Sequence, residues 1–148
     1  MNKEPKTMSE NEELMESRLE QILNDALIKA TDTYSVPPQI IWVDNSTIAT
    51  LGNFSASTGK AKAKKTFNVS ALVAASLSNG TVLNYRACLP EGKRRILYVD
   101  TEQSRYHCHN VLARILKLAG LPTDMDNQNL DFIGLREYTP AIRMEVID

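Results

Sequence analysis

The chain has 148 residues, 43% of them hydrophobic and 24% charged, with a formal net charge of −1. This length fits one ordinary globular domain, and the near-neutral charge argues against a generally basic coat for nucleic acid. No apolar run approaches the ~18 residues of a membrane span, and the polar start of the chain predicts no secretory signal. We therefore expect a cytoplasmic protein without membrane contact, in which Cys88 and Cys108 are free thiols.

The N-terminal part is predicted to be a short disordered segment followed by an amphipathic helix. Residues 1–8 are polar, and Ser9 with Glu12 has the spacing of a capping box. Apolar residues then recur at helical spacing, which predicts a helix over about residues 10–30. Its apolar stripe covers either the main domain or a neighbouring subunit. Two prolines follow that cannot continue a helix, so we place a domain boundary between residues 1–36 and 37–148.

The next segment is predicted to form a hairpin and a third short strand. Strands are expected at Ile40–Val43 and Thr47–Leu51, joined by a turn at 44–46. Phe54–Ser57 is expected to be a strand that leads into a glycine loop. A helix rich in Ala, Val and Leu then runs from Lys65 or Thr66 to Ser78, where Asn79-Gly80 ends it.

The second half alternates strands with helices. The apolar run Ile96–Val99 predicts a strand that is buried on both faces of a parallel sheet. A helix is expected over about 104–119, a strand at Asp131–Leu135 and a new helix from Thr139-Pro140. This order predicts an α/β fold, a parallel sheet with helices on both faces.

A lysine-rich loop precedes the first helix of this region. Gly59 to Thr66 reads G-K-A-K-A-K-K-T, which matches the phosphate-loop pattern G-x-x-x-x-G-K-[ST] except that Lys64 replaces the second glycine. In such loops the lysine bridges the β and γ phosphates and the hydroxyl holds Mg²⁺. Lys65 and Thr66 occupy those two places. A lysine with a left-handed backbone costs on the order of 1 kcal/mol, so Lys64 weakens the motif without excluding it. The alternative is a solvated helix start without a ligand.

A second polar cluster follows the predicted buried strand, in the segment V-D-T-E-Q-S. Asp100 and Glu102 lie where ligands bind in open α/β sheets, at the carboxyl end of a strand. Glu102 is placed to deprotonate a water that attacks a γ-phosphate. The structural alternative is that the two carboxylates only cap the following helix. Arg136-Glu137, after the last strand, can reach the same crevice. His107-Cys108-His109 does not share one helix face, so we expect no zinc site there.

Three segments together resemble the RecA-type ATPase core. They are G-K-A-K-A-K-K-T-F, I-L-Y-V-D-T-E-Q-S and L-D-F-I-G-L-R-E, within about residues 38–148. The chain is most similar to the RepA-like helicase and AAA-type ATPases of bacterial plasmids and mobile elements. The resemblance implies ATP and Mg²⁺ as cofactors, DNA as a partner of the full-length parent, and an oligomer.

The resemblance also implies roles for individual residues. Lys65 is the phosphate lysine, Thr66 the Mg²⁺ ligand and Glu102 the catalytic base, while Asp100 is an indirect contact to the metal. The nucleotide would be held by the whole loop, which comprises Gly59, Lys60, Ala61, Lys62, Ala63, Lys64, Lys65, Thr66 and Phe67.

One departure from this family concerns its Walker B strand. The family continues past R-M-E-V-I-D into another apolar strand that ends in aspartate, and we interpret the chain as the N-terminal part of such an ATPase. Alone, it is expected to bind nucleotide and to hydrolyse it poorly. The competing hypothesis is a noncatalytic fragment that binds nucleic acid or protein through its lysines and retains a vestigial phosphate loop.

Overall fold

The structure is a computed structural model that describes residues 10–60 and 63–147. The chain divides into two compact units, and the boundary lies between Val36 and Pro37. The elements, in chain order, are α1 (Glu10–Ala26), β1 (Gln39–Val43), β2 (Ser46–Thr50), α2 (Lys65–Ser78), β3 (Thr81–Val82), β4 (Tyr85–Ala87), β5 (Ile96–Asp100), α3 (Arg105–Leu118), β6 (Leu130–Gly134) and α4 (Pro140–Ile147). Within the described ranges, no helix has both the length and the apolar character needed to cross a bilayer.

The first unit contains one helix. α1 ends at Ala26, one turn before the end expected from the apolar spacing. Its larger apolar side chains, such as Leu14 and Leu23, are exposed. Ser9, the predicted capping residue, lies outside the described residues.

The second unit begins with an antiparallel sheet in the order β2-β1-β4-β3. The predicted β1–β2 hairpin is confirmed, with a turn at Asp44-Asn45 in which Asp44 has a φ of 50°. The β3–β4 hairpin was not predicted. β4 pairs with β1 on the side that β2 leaves open, with Trp42 opposite Arg86.

The predicted strand at Phe54–Ser57 is wrong. Those residues have no regular structure, and Phe54 is 96% exposed. β2 and β4 already occupy both edges of β1. The Ser55 hydroxyl donates to the carbonyl of Ile48 at 2.6 Å, and such a side-chain bond offers this segment an alternative to a strand ladder.

β5 and β6 form a separate parallel pair, in register from Ile96 opposite Leu130 to Asp100 opposite Gly134. The parallel strands and the helix α3 between them are confirmed. The prediction that β5 is buried on both faces is wrong, because Leu97 is 50% exposed. The single predicted parallel sheet is also wrong: the described strands form two small sheets, one antiparallel and one parallel.

The core of this unit lies around α2 and α3, which pack against each other and against strands of both sheets. The face of α2 that carries Ala71, Ala74 and Ala75 is fully buried, because small side chains let neighbouring backbones approach closely. The buried cluster comprises Ile41, Val73, Ala74, Ala75, Val82, Ala87, Val111, Ile115 and Leu130. This packing fixes the start of α2 relative to the end of β5.

Candidate functional site

The lysine-rich loop ends at the N-terminus of α2, where Lys65 folds back over it. The Nζ of Lys65 donates a hydrogen bond to the carbonyl oxygen of Gly59 at 2.7 Å. A Cβ at Gly59 would lie 3.3 Å from the Cβ of Ala63 and 3.6 Å from Cδ of Lys65. This spacing is tight, so glycine at residue 59 allows the loop to close on itself.

Lys64 takes the left-handed conformation that a glycine would adopt more readily. It is the N-cap residue of α2, with φ 56° and ψ 24°. No side chain caps this end of the helix, and its first turn contains no acidic residue. No carboxylate within the first turn offsets the partial positive charge of the helix N-terminus, which favours an anion there.

Asp100, the last residue of β5, organises the turn that follows the strand. It is only 8% exposed. Its Oδ1 accepts hydrogen bonds from the backbone N–H groups of Glu102 (2.9 Å) and Gln103 (2.7 Å), and its Oδ2 accepts one from Nε2 of Gln103 at 2.7 Å. Burial acts to raise the pKa of Asp100, but these three hydrogen bonds outweigh burial and hold that pKa below its ordinary value of 3.8.

The structure brings the two predicted clusters together in one cleft of about 220 Å³. Lys65 and Thr66 line it from the start of α2, and Glu102 lines it from the turn after β5. The remaining lining residues are Val69, Tyr98, Val99, Asp100, Thr101 and Gln103. These groups are far apart in sequence and meet because α2 packs beside the carboxyl end of β5. Glu102 is exposed, and its carboxylate accepts no hydrogen bond from any described residue.

Other predicted site residues lie outside the lining of this cleft. Lys60 and Ala63 are joined within the loop by a backbone bond of 3.2 Å. Phe67 is on α2 and is partly exposed. Ala61 and Lys62 lie outside the described residues.

As a structural alternative, Asp100 was expected from the sequence to cap the helix that follows the strand. Its carboxylate caps the turn at 102–103, not the helix α3. Ser104 is the N-cap residue of α3 without a side-chain cap bond, and its hydroxyl lies 2.8 Å from Nδ1 of His107. The indirect contact of Asp100 to Mg²⁺ stays a prediction.

Sequence reasoning missed Gln103, which lines the cleft and is half-buried. Gln103 also lines a smaller adjoining crevice, where Arg136 and Glu137 lie. The two predicted residues after β6 are thus placed beside the cleft but do not line it. The available signal was the position of Gln103 in the polar segment after a buried strand.

Cys108 packs under this turn. Its Sγ lies 3.7 Å from the carbonyl oxygen of Gln103. Burial raises the pKa of the Cys108 thiol, and the nearby Asp100 carboxylate raises that pKa further. The thiol therefore stays protonated at neutral pH. Among the residues that the structure describes, no cluster of three or more His, Cys, Asp or Glu side chains is arranged to hold a metal ion.

Comparison with known protein families, with curated proteins and with solved structures found no match for this chain.

Proposed function

We propose that this chain binds ATP with Mg²⁺ in the cleft between α2 and β5, as part of a RecA- or RepA-like ATPase that acts in DNA replication or mobilisation. One observation carries the proposal: the phosphate-loop pair Lys65 and Thr66 shares a cleft with Glu102. The link to DNA rests on the sequence resemblance alone.

The size of the cleft indicates which part of the nucleotide it takes. Pockets that enclose a whole drug-sized ligand measure roughly 300–1,000 Å³, and this cleft measures about 220 Å³. It is therefore suited to the phosphate end of the nucleotide. Lys65 supplies the positive charge there, and its ammonium group exchanges the carbonyl of Gly59 for phosphate oxygens.

Mg²⁺, when bound, would neutralise charge on the β- and γ-phosphates, with the hydroxyl of Thr66 as the protein ligand. The Glu102 carboxylate would accept a proton from the attacking water. As that proton leaves, the water oxygen bonds to the γ-phosphorus and the bond from phosphorus to the bridging β–γ oxygen breaks. The products are ADP and inorganic phosphate.

Calorimetric titration with ATP and Mg²⁺ tests the proposal. We expect the wild type to bind, Lys65→Ala to lose binding, and Glu102→Gln to retain it. Lys93→Ala is the matched control, because Lys93 is an exposed lysine outside the cleft. Equal binding by wild type and Lys65→Ala, or no binding by the wild type, would overturn the proposal.

The competing hypothesis is a noncatalytic fragment. It predicts that the chain binds DNA in a salt-sensitive way and that ATP does not change this binding.

A further inference from the structure

The amide of Gln103 is held in one orientation by Asp100. An ionised carboxylate only accepts hydrogen bonds, so the contact of 2.7 Å at Oδ2 of Asp100 must come from the NH₂ group of Gln103. The positions of an amide's oxygen and nitrogen are often hard to tell apart. Here the Asp100 carboxylate settles which of the two faces it.

This orientation leaves the amide oxygen of Gln103 available. In the described part of the chain, no donor bonds to that oxygen. Gln103 lines the same cleft as Lys65 and Glu102, and it also lines the adjoining crevice of Arg136 and Glu137. A residue at the cleft therefore carries a hydrogen-bond acceptor without a partner among the described residues.

The backbone of the turn is fixed by the same carboxylate. Oδ1 of Asp100 holds the N–H groups of both Glu102 and Gln103. One buried side chain therefore sets the position of two successive residues at the cleft, and a pre-organised polar group loses little free energy to reorganisation during a reaction.

We propose that Gln103 orients the attacking water through its amide oxygen, and that Asp100 is the positioning residue that turns the amide this way. The inference rests on the proposed function. Glutamine has this water-orienting task in some nucleotide hydrolases. In this cleft Glu102 would take the proton of the water, and Gln103 would accept its second O–H.

The test measures binding of a transition-state mimic, so it does not require rapid turnover. ADP with Mg²⁺ is titrated with and without tetrafluoroaluminate, a planar mimic of the transferring phosphoryl group that holds a water at the attacking position. In the wild type, tetrafluoroaluminate should tighten ADP binding. Gln103→Ala should bind ADP as the wild type does. It should lose up to about tenfold of that tightening, which is the upper end for one hydrogen bond between neutral groups.

Asp100→Asn gives a second, independent readout. The asparagine carbonyl oxygen should keep the two backbone N–H groups that Oδ1 of Asp100 accepts, which leaves the asparagine NH₂ facing the NH₂ of Gln103. The glutamine amide then turns over and presents a donor in place of its acceptor. Asp100→Asn should therefore lose the same tightening as Gln103→Ala, and the double variant should lose no more than either single one. Gln128→Ala, which removes an exposed glutamine outside the cleft, should behave as wild type.

Full tightening in Gln103→Ala, or no tightening in the wild type, would overturn the inference and leave ATP binding standing. If Gln103→Ala weakened ADP binding without tetrafluoroaluminate by the same factor, the inference would also be overturned. Gln103 would then contact the bound nucleotide itself and not the water of the transition state. Failure of the proposed function is seen separately, as ADP binding that is unaffected by Lys65→Ala.

Discussion

Asp100 contributes to stability through its charge, at the level of a single residue. The ionised carboxylate accepts three hydrogen bonds from the turn at 102–103, whereas a protonated carboxyl group loses part of this accepting capacity. Because the folded-state pKa is lowered below 3.8, the stabilisation is present above that pH. It is lost as the pH falls through the folded-state pKa.

We expect Asp100→Asn to lower the free energy of unfolding at neutral pH by about 2 kcal/mol, since a buried, charged hydrogen-bond acceptor is lost. The difference from wild type should shrink on acidification from about pH 5 to below the pKa of Asp100. Urea denaturation at several pH values measures this difference. Asp126→Asn is the control, because Asp126 is exposed. A difference that stays constant with pH would contradict the assigned role.

The residues of the site were only partly predictable from sequence. Lys65 and Thr66 were predicted from the phosphate-loop pattern, and Glu102 from the rule that ligands bind at the carboxyl ends of strands. The same rule covers the position of Gln103, but it does not give the direction in which its amide faces, which Asp100 sets through space. The turn-capping role of Asp100 depends likewise on backbone geometry after β5 that no residue pattern specifies.

At the scale of elements, long periodic segments were predictable and short ones were not. α2, α3, the β1–β2 hairpin and the β5–β6 pair follow from periodicity and from the residues that end each element. β3 and β4 have two and three residues, too few to show an alternation of apolar and polar residues. The same limit misled the prediction at Phe54–Ser57, a four-residue segment that pairs with no strand of either sheet.

The two ends of α2 both use a left-handed residue, but only one is supported by its side chain. At the C-terminal end, Asn79 has φ 49°, and its Oδ1 accepts a hydrogen bond from the N–H of Leu89 at 2.5 Å. At the N-terminal end, Lys64 has φ 56° and no side-chain cap bond. The strain at Lys64 is therefore not compensated within the described loop.

We expect Lys64→Gly to stabilise the chain. Relief of the left-handed strain is worth roughly 1–2 kcal/mol, and the added freedom of the unfolded chain costs about 0.4–1 kcal/mol. The net gain should be up to about 1.6 kcal/mol in the free energy of unfolding, measured by denaturant titration. Lys93→Gly is the matched control at a residue without a positive φ, and it should destabilise. If both variants destabilise equally, the conformation of Lys64 is not a strained one.

At the scale of the whole molecule, stability depends on a small core. The buried side chains concentrate at the contact of α2 and α3 with the strands, and many large apolar side chains elsewhere are exposed. Ile115 is the largest fully buried apolar side chain in the described chain. It belongs to the same buried cluster as residues of α2 and of both sheets.

We expect Ile115→Ala to lower the free energy of unfolding by about 2–5 kcal/mol and Ile115→Val by about 1 kcal/mol, because each leaves a cavity that the neighbours fill only partly. Thermal and urea unfolding measure both values. Ile28→Ala, at an exposed residue, should change stability by less than about 0.5 kcal/mol. A loss at Ile115→Ala no larger than that at Ile28→Ala would show that this contact is not the core.

The pairing of Trp42 with Arg86 gives the molecule an internal optical reporter. Trp42 is the chain's only tryptophan, and the guanidinium carbon of Arg86 lies 3.8 Å from the centre of its ring. These residues face each other across β1 and β4, so separation of the two strands removes the cation from the indole and shifts its emission. Fluorescence therefore follows the antiparallel sheet, whereas far-ultraviolet circular dichroism is dominated by the helices. Coincident transitions by the two signals would show that the sheet and the helices unfold as one cooperative unit.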